Sequence, residues 1–189
     1  MFAASATPFV SAGILLLIIA TATAATVDAR TGLIPNWLTL PLMAAGLAFQ
    51  SVSRGASGLA LAASGLIVCG LMPWLLHRST QGKAIGGGDV KLFAGLGAVA
   101  GPFVGLEIQL SAFLLLGVFA LVQLAFRGQL FRVLRSSLFL ALNPLLPTRW
   151  KRPLETAALT EMRMGPAIAV AALSVLVRDQ LAVHLPWIA

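Results

Sequence analysis

The stretch GGGDVKL, from Gly86 to Leu92, guides the interpretation of the whole chain. It places one carboxylate, Asp89, between three glycines and the start of a strongly apolar segment. Glycine adopts backbone conformations that are closed to other residues and can let an extended substrate strand come close. The stretch therefore predicts a helix start at which an acid lies beside an accessible backbone, and Asp89 is the first candidate functional residue.

A second acid, Asp28, has a similar setting at the end of the first apolar run. The residues after it read ARTGLIPN, in which Gly32 and Pro35 break the helix. The chain has only six acids, and an ionisable residue at the edge of a membrane span is a functional candidate by default. For Asp28 alone, a structural charge at a helix end is an equal alternative. The pairing with Asp89 favours a functional role.

The composition excludes an ordinary soluble domain. The 189 residues are 59% hydrophobic and 10% charged, whereas soluble domains carry about 25% charged residues. A helix needs about 20 mostly apolar residues to cross a bilayer. The chain is therefore predicted to be an all-α, polytopic transmembrane helix bundle of about six spans, at residues 9–27, 37–52, 58–76, 90–106, 108–126 and 164–183.

We expect residues 1–189 to form a single membrane-embedded domain. The long connection 127–163 mixes apolar residues with arginines and contains several prolines, which is typical of an interfacial helix followed by an irregular cytoplasmic segment. The span 90–106 carries Gly97, Gly101 and Gly105 at four-residue spacing, a pattern that lets neighbouring backbones approach. This span is predicted to be a central helix packed against protein.

The basic residues predict the orientation of the bundle. With the N-terminus outside, only Arg54 and Arg178 of the 13 Lys and Arg residues lie on the outer side, as the positive-inside rule expects. Asp28 and Asp89 then face the cytoplasm. Because the basic residues are scattered between apolar runs, they indicate membrane topology rather than a nucleic-acid partner. The inner residues are Arg30, Arg78, Lys83, Lys91, Arg127, Arg132, Arg135, Arg149, Lys151, Arg152 and Arg163.

Two carboxylates in a partly dry site predict a particular chemistry. They cannot both ionise easily, so they share one proton and act as base and acid. Such a pair can hydrolyse a peptide without a metal, because one group activates water and the other protonates the carbonyl oxygen and the leaving nitrogen. Metal, cysteine and serine routes fit less well: His77 and His184 are predicted on opposite sides, Cys69 lies within a span, and no GxSxG motif occurs. We expect neither a metal nor a cofactor.

Three segments carry a resemblance to a known family. DARTGLIPNWLTLPLMAAGL at 28–47 and GGGDVKLFAGLGA at 86–98 resemble the paired motifs of type IV prepilin peptidases, which are membrane aspartyl proteases of the GxGD class. MGPAIA at 164–169 resembles the start of that family's last helix. The resemblance implies that Asp28 and Asp89 are the catalytic pair. Its supporting motif residues are Gly86, Gly87, Gly88, Lys91, Ile34 and Pro35.

The resemblance also implies a substrate and a location. An enzyme of this kind would cut the basic leader from prepilins or pseudopilins at the cytoplasmic face of the cell inner membrane, in pilus biogenesis or protein secretion. Larger family members add a cysteine-rich cytoplasmic domain and methylate the new N-terminus, whereas here Asp28 follows the first span directly and Cys69 is the single cysteine. The chain therefore resembles the short, peptidase-only branch found with tight-adherence (Flp-type) pili. Type II secretion and type IVa roles stay open.

Lys91, two residues after Asp89, matches the family motif and has several possible roles. It could favour an ionised carboxylate nearby, hold the loop, or extend its amine to the membrane interface. The sequence leaves these roles open. It also leaves open the substrate's identity and the oligomeric state.

Other functional classes remain as alternatives. A non-enzymatic transporter or a secretion or pilus assembly scaffold is the main one, although transporter sites tend to lie at the bilayer midplane between repeated halves, and neither feature occurs here. A catalytically inactive relative that binds prepilins also stays open. Presenilin-type GxGD proteases place a tyrosine before the first aspartate, whereas this chain has no tyrosine and Val27 precedes Asp28.

Overall fold

A computed structural model of the protein describes residues 8–126 and 164–184. No residue in these ranges belongs to a strand. The predicted connection 127–163 lies outside them. The described helices are α1 (Pro8–Thr31), α2 (Asn36–Ser79), α3 (Gly87–Ala100), α4 (Pro102–Phe126) and α5 (Gly165–His184).

Among the described residues, three apolar segments are long enough to cross a membrane, namely Ala12–Thr31, Asn36–Ser79 and Pro102–Gln123. Their outward side chains are large and apolar, with Phe103 84% exposed and Leu114 69% exposed. Such surfaces are unfavourable in water but suit lipid, and a helix satisfies its own backbone hydrogen bonds there. The predicted helical membrane bundle is confirmed, while the number of spans stays a prediction.

Helix α2 is two arms joined at Gly55. A straight helix of its 44 residues would be about 66 Å long, about twice the thickness of a bilayer core. Gly55 instead has φ 62° and ψ −142°, a conformation that suits glycine. A Cβ at Gly58 would overlap the carbonyl oxygen of Gln50, although eight residues span about 12 Å along a helix. The chain therefore doubles back, which supports separate spans before and after Gly55.

Helix α3 lies between these two arms. On one side, the Gln50 side-chain amide donates to the Val99 carbonyl oxygen at 2.8 Å. On the other side, a Cβ at Gly65 would overlap the carbonyl oxygen of Gly97. Residues 92–99 are all buried. The predicted central, protein-packed helix is confirmed, and glycine at these crossings is what lets the backbones meet.

Helix α1 packs mainly against α5. Leu17 and Ala24 of α1 belong to one buried cluster with Phe93 of α3 and Ile168 of α5. The ring centroids of Phe93 and Phe113 lie 5.5 Å apart. The apolar cluster thus joins α1, α3, α5 and the first half of α4 into one core.

The predicted break between the spans 90–106 and 108–126 is misplaced. Helix α3 ends at Ala100, the following Gly101 has a left-handed φ of 83°, and α4 begins directly at Pro102. Proline favours the first position of a helix because it has no amide hydrogen to leave unpaired. Glu107, expected in the loop, lies inside α4 and forms an ion pair with Arg178 of α5. The pair Gly101–Pro102, and not the charge of Glu107, therefore separates α3 from α4.

Candidate active site

Asp28 lies in the last turn of α1, because the helix continues to Thr31 and the predicted span ended at residue 27. The Gly32 amide donates to the Asp28 carbonyl oxygen at 2.8 Å, and Gly32 takes a left-handed φ of 70° that closes the helix. The chain then turns through Ile34, which is buried, to Pro35, where α2 begins. Gly32 and Pro35 thus form the helix break that was predicted beside Asp28.

The Asp28 side chain is itself buried, with 5% of its surface exposed. Its Oδ2 accepts a hydrogen bond from the Gly165 amide at 2.9 Å. Gly165 is the first residue of α5, so its N–H is one of those that a helix start leaves without an intrahelical partner. Asp28 therefore caps α5 from α1.

Asp89 lies in the first turn of α3. Gly86 is the residue before the helix and has extended φ and ψ of −69° and 150°. A Cβ added to Gly86 would lie 3.0 Å from Oδ2 of Asp89, so the carboxyl group lies directly beside Gly86. An acid at this helical position is also favoured by the partial positive charge of the helix N-terminus.

Gly88 brings the two predicted motifs together. A Cβ at Gly88 would lie 2.5 Å from the carbonyl oxygen of Ile34 and 2.9 Å from its Cβ. The neighbour at this glycine is therefore the protein's own turn between α1 and α2, whereas the sequence had suggested an extended substrate strand. This packing holds the motif of Asp28 against the motif of Asp89.

The third glycine, Gly87, faces His77, a residue that the sequence did not indicate as part of the site. The His77 Nδ1 lies 2.7 Å from the Ile85 carbonyl oxygen, which can only accept, so Nδ1 donates. A Cβ at Gly87 would lie 3.7 Å from the imidazole Cε1, and one at Gly82 would lie 3.1 Å from it. His77 thus links the end of α2 to the loop that leads into Asp89.

The two carboxylates interact electrostatically. Burial and the charge of Asp28 raise the pKa of Asp89, which precedes the predicted span 90–106, from 3.8 to about 6. Backbone hydrogen bonds at Gly86 and Asp89 act in the opposite direction. The structure therefore places Asp28 and Asp89, which are far apart in sequence, at the same end of the bundle. The charge of Asp28 there affects the pKa of Asp89.

Lys91 contacts an amide oxygen. Its Nζ donates to Oδ1 of Asn36 at 2.6 Å, which joins the first turns of α3 and α2. Of the roles considered for Lys91, this contact favours holding the loop. Asn36 was not recognised as a site residue, and its position directly after the Ile34–Pro35 pair was the available signal.

The described residues also bear on the metal alternative. Within residues 8–126 and 164–184, no three His, Cys, Asp or Glu side chains are grouped so that they could hold a metal ion. Cys69 is fully buried and its Sγ lies 3.8 Å from the Pro102 carbonyl oxygen. It packs as a small apolar residue where α2 meets the start of α4.

The chain is similar in sequence to curated proteins. A prepilin leader peptidase/N-methyltransferase from Klebsiella pneumoniae is 46% identical over 81 residues, which are 41% of this chain and 35% of that relative. A protein of the same name from Dickeya chrysanthemi is 36% identical over 80 residues, 41% of this chain and 28% of the relative. The match thus spans about a third of the length of these curated relatives.

The family comparison covers more of the chain. No solved structure is significantly similar to it. The model of the type IV leader peptidase family matches residues 15–121, a range that includes both Asp28 and Asp89 with the glycines beside them. This match, which covers more than half of the chain, shows that the chain belongs to the type IV leader peptidase family.

Proposed function

We propose that the protein is a membrane aspartyl endopeptidase that removes the basic leader of prepilins or pseudopilins, with Asp28 and Asp89 as its catalytic pair. The observation that carries the proposal is that the turn after Asp28 packs on Gly88, beside Asp89, at one end of the bundle, where the charge of Asp28 also raises the pKa of Asp89. Close carboxylates that cannot both ionise easily are suited to sharing a proton.

The reaction is the addition of water across a peptide bond. One carboxylate takes a proton from water as the oxygen attacks the scissile carbonyl carbon, while the other acid donates its proton to the carbonyl oxygen. In the second half, the carbon–nitrogen bond breaks and the leaving nitrogen receives a proton. The pair then returns to its starting state with one proton, and no cofactor or metal takes part in this scheme.

The position of the pair supports cleavage at the cytoplasmic face of the inner membrane. Arg30, Arg78 and Lys83 lie near the ends of α1 and α2 that carry the site, whereas Arg54 adjoins the Gly55 turn at the other end. Trp74 also lies at the site end, where Arg78 stacks over its ring at 5.6 Å. Aromatic and basic side chains at one end of a bundle suit the cytoplasmic interface. The proposal concerns the peptidase activity, because that is what the two carboxylates support.

Substitution of each acid tests the function. Asp28→Asn and Asp89→Asn should each abolish cleavage of a purified prepilin by the protein in detergent, because an amide can neither take the proton from water nor serve as the acid. Glu107→Gln is the matched control, since Glu107 lies in α4 and pairs with Arg178 away from the site. A folded Asp89→Asn protein that cuts at the wild-type rate would contradict the peptidase. Chelators should not change the rate of the wild type.

A wild-type protein that binds prepilin but does not cut it would instead indicate the non-enzymatic scaffold. Binding can be measured on the same samples by co-purification with tagged prepilin. Cleavage by the wild type together with binding but no cleavage by the two variants is the result that supports an enzyme.

A further inference from the structure

The two carboxylates differ in their hydrogen-bond partners. Oδ2 of Asp28 receives the Gly165 amide at the start of α5 at 2.9 Å. An amide only donates, so this oxygen is the acceptor of the hydrogen bond. The start of a helix also carries partial positive charge that favours an anion.

Gly165 is fitted tightly to Asp28. An added Cβ would lie 2.7 Å from Cβ of Asp28, 2.9 Å from its Oδ2 and 3.2 Å from the Ala24 carbonyl oxygen. Two of these neighbours, the Asp28 Cβ and the Ala24 carbonyl oxygen, are held in place by the backbone of α1 and cannot rotate away. Glycine therefore allows α5 to begin close enough to α1 for its amide to reach the carboxylate.

Asp89 has a different environment. Its carboxyl group lies beside Gly86 within its own helix start and receives backbone hydrogen bonds there, which lower its pKa, whereas burial and the charge of Asp28 raise it. Burial and that charge together raise the pKa of Asp89 to about 6. A proton shared by the pair is therefore favoured on Asp89.

We propose that the Gly165 amide is a positioning group that keeps Asp28 as the carboxylate base and leaves the shared proton on Asp89, the acid. The inference rests on the proposed peptidase function and assigns the two roles within it. Asp28 takes the proton from the attacking water, and Asp89 gives its proton to the carbonyl oxygen. The proton on Asp28 then passes to the leaving nitrogen as the carbon–nitrogen bond breaks, and Asp89 regains its proton from the hydroxyl group of the collapsing intermediate.

Within residues 8–126 and 164–184, the other titratable groups near this end have partners or lie in exposed positions. From α1, Arg30 is exposed, and from α2 the ring of His77 donates to Ile85. Lys83 of the loop is exposed, and Lys91 of α3 donates to Asn36. Helix α5 contributes no titratable side chain over residues 165–177. Among the described groups, the partner that Asp28 has and Asp89 lacks is the amide at the start of α5.

Two glycine substitutions test the assignment, because each crowds one carboxylate. Gly165→Ala pushes on Asp28, and Gly86→Ala places a Cβ 3.0 Å from Oδ2 of Asp89. The readout is the pH profile of kcat/KM for cleavage of purified prepilin by the full-length protein in detergent. Gly165→Ala should move the acid limb of the profile towards neutral pH and lower kcat at least threefold with little change in KM. Gly86→Ala should move the alkaline limb and leave the acid limb in place.

Gly70→Ala is the control for crowding alone. Its Cβ would lie 3.1 Å from Cβ of Ala94, on α3 but away from the carboxylates, so both limbs should stay in place. The assignment is overturned if Gly165→Ala and Gly86→Ala move the same limb or if Gly165→Ala moves neither. If Asp28→Asn or Asp89→Asn still cuts prepilin, the peptidase function itself fails.

An infrared measurement tests the proton's position even if Gly165→Ala does not fold. At about pH 5, between the ordinary pKa of an aspartate and that of Asp89 in the protein, the spectrum of the wild type minus that of Asp89→Asn should contain the carbonyl band of a protonated carboxylic acid. A carboxylate band in its place would put the proton on Asp28 and reverse the two roles.

Discussion

Gly88 of α3 lies against the main-chain carbonyl of Ile34, so closely that an added Cβ would be 2.5 Å from the oxygen. This contact joins the turn after Asp28 to the turn before Asp89. The neighbour is backbone and cannot rotate away, unlike the end of a flexible side chain. The relative placement of Asp28 and Asp89 therefore depends on Gly88 having no side chain.

Gly88→Ala should consequently separate the two turns. We expect a loss of stability of about 1–3 kcal/mol, which is typical of overpacking, and at least a tenfold loss of prepilin cleavage. Thermal unfolding in detergent and the cleavage assay measure the two effects. Gly117→Ala is the control, because no atom lies within 4 Å of the added Cβ and alanine favours a helix. Wild-type stability and activity for Gly88→Ala would refute the role of this contact.

Asp89→Asn should stabilise the protein at neutral pH. The pKa of Asp89 is 3.8 when unperturbed and about 6 in the folded protein, so between these values the folded state binds more protons than the unfolded state. Stability then falls as the pH rises through this window, and at pH 7 the whole cost of ionising Asp89 is present. Two pKa units correspond to about 3 kcal/mol as an upper value.

Melting temperatures of the wild type and of Asp89→Asn, measured across a range of pH, test whether folding raises the pKa of Asp89. The gain in melting temperature should be largest at neutral pH and should vanish below about pH 4, where both states of the wild type are protonated. Glu107→Gln, which removes a half-exposed ion pair, should show no comparable gain. A gain for Asp89→Asn that grows as the pH falls would mean that the pKa of Asp89 is lowered by folding.

His77 should hold the loop 80–86 through its hydrogen bond to Ile85. His77→Ala removes the donor and should cost about 1 kcal/mol and expose the loop to trypsin at Lys83. His77→Asn keeps a donor close to the position of Nδ1 and should restore resistance to trypsin and most of the cleavage activity. Equal rates of proteolysis for the two variants would show that the ring acts through its volume instead.

The orientation of the bundle can be measured with single cysteines. Cys69 is fully buried, so it gives little background with a membrane-impermeant maleimide. In intact cells the reagent should label Ala56→Cys, beside the Gly55 turn, and should not label Ser79→Cys at the end of α2 unless the membrane is opened. Labelling of Ser79→Cys alone would place Asp28 and Asp89 outside the cytoplasm.

The sequence predicted the helical elements well, and the reason is local. A segment that crosses a bilayer must be apolar along its whole length and must satisfy its own backbone, so hydrophobic runs mark helices directly. The same scarcity of polar residues made Asp28 and Asp89 noticeable. Where a charge and a backbone signal competed, as at Glu107 and Gly101, the backbone signal determined the helix end.

The contacts that organise the candidate site came only from the tertiary structure. Gly165 and Asp28 are separated by 137 positions, and no periodicity relates an amide at one helix start to a carboxylate at another helix end. The hydrogen bond between His77 and Ile85 likewise depends on how α2 closes onto the loop. Thus the sequence by itself determined which segments are helices in lipid and which acids stand at their ends, because both follow from local polarity. Packing of α1 against α5 and of α2 against α3 decided that Asp28 receives the amide of another helix and that its charge acts on Asp89, because both depend on distances between segments remote in the chain.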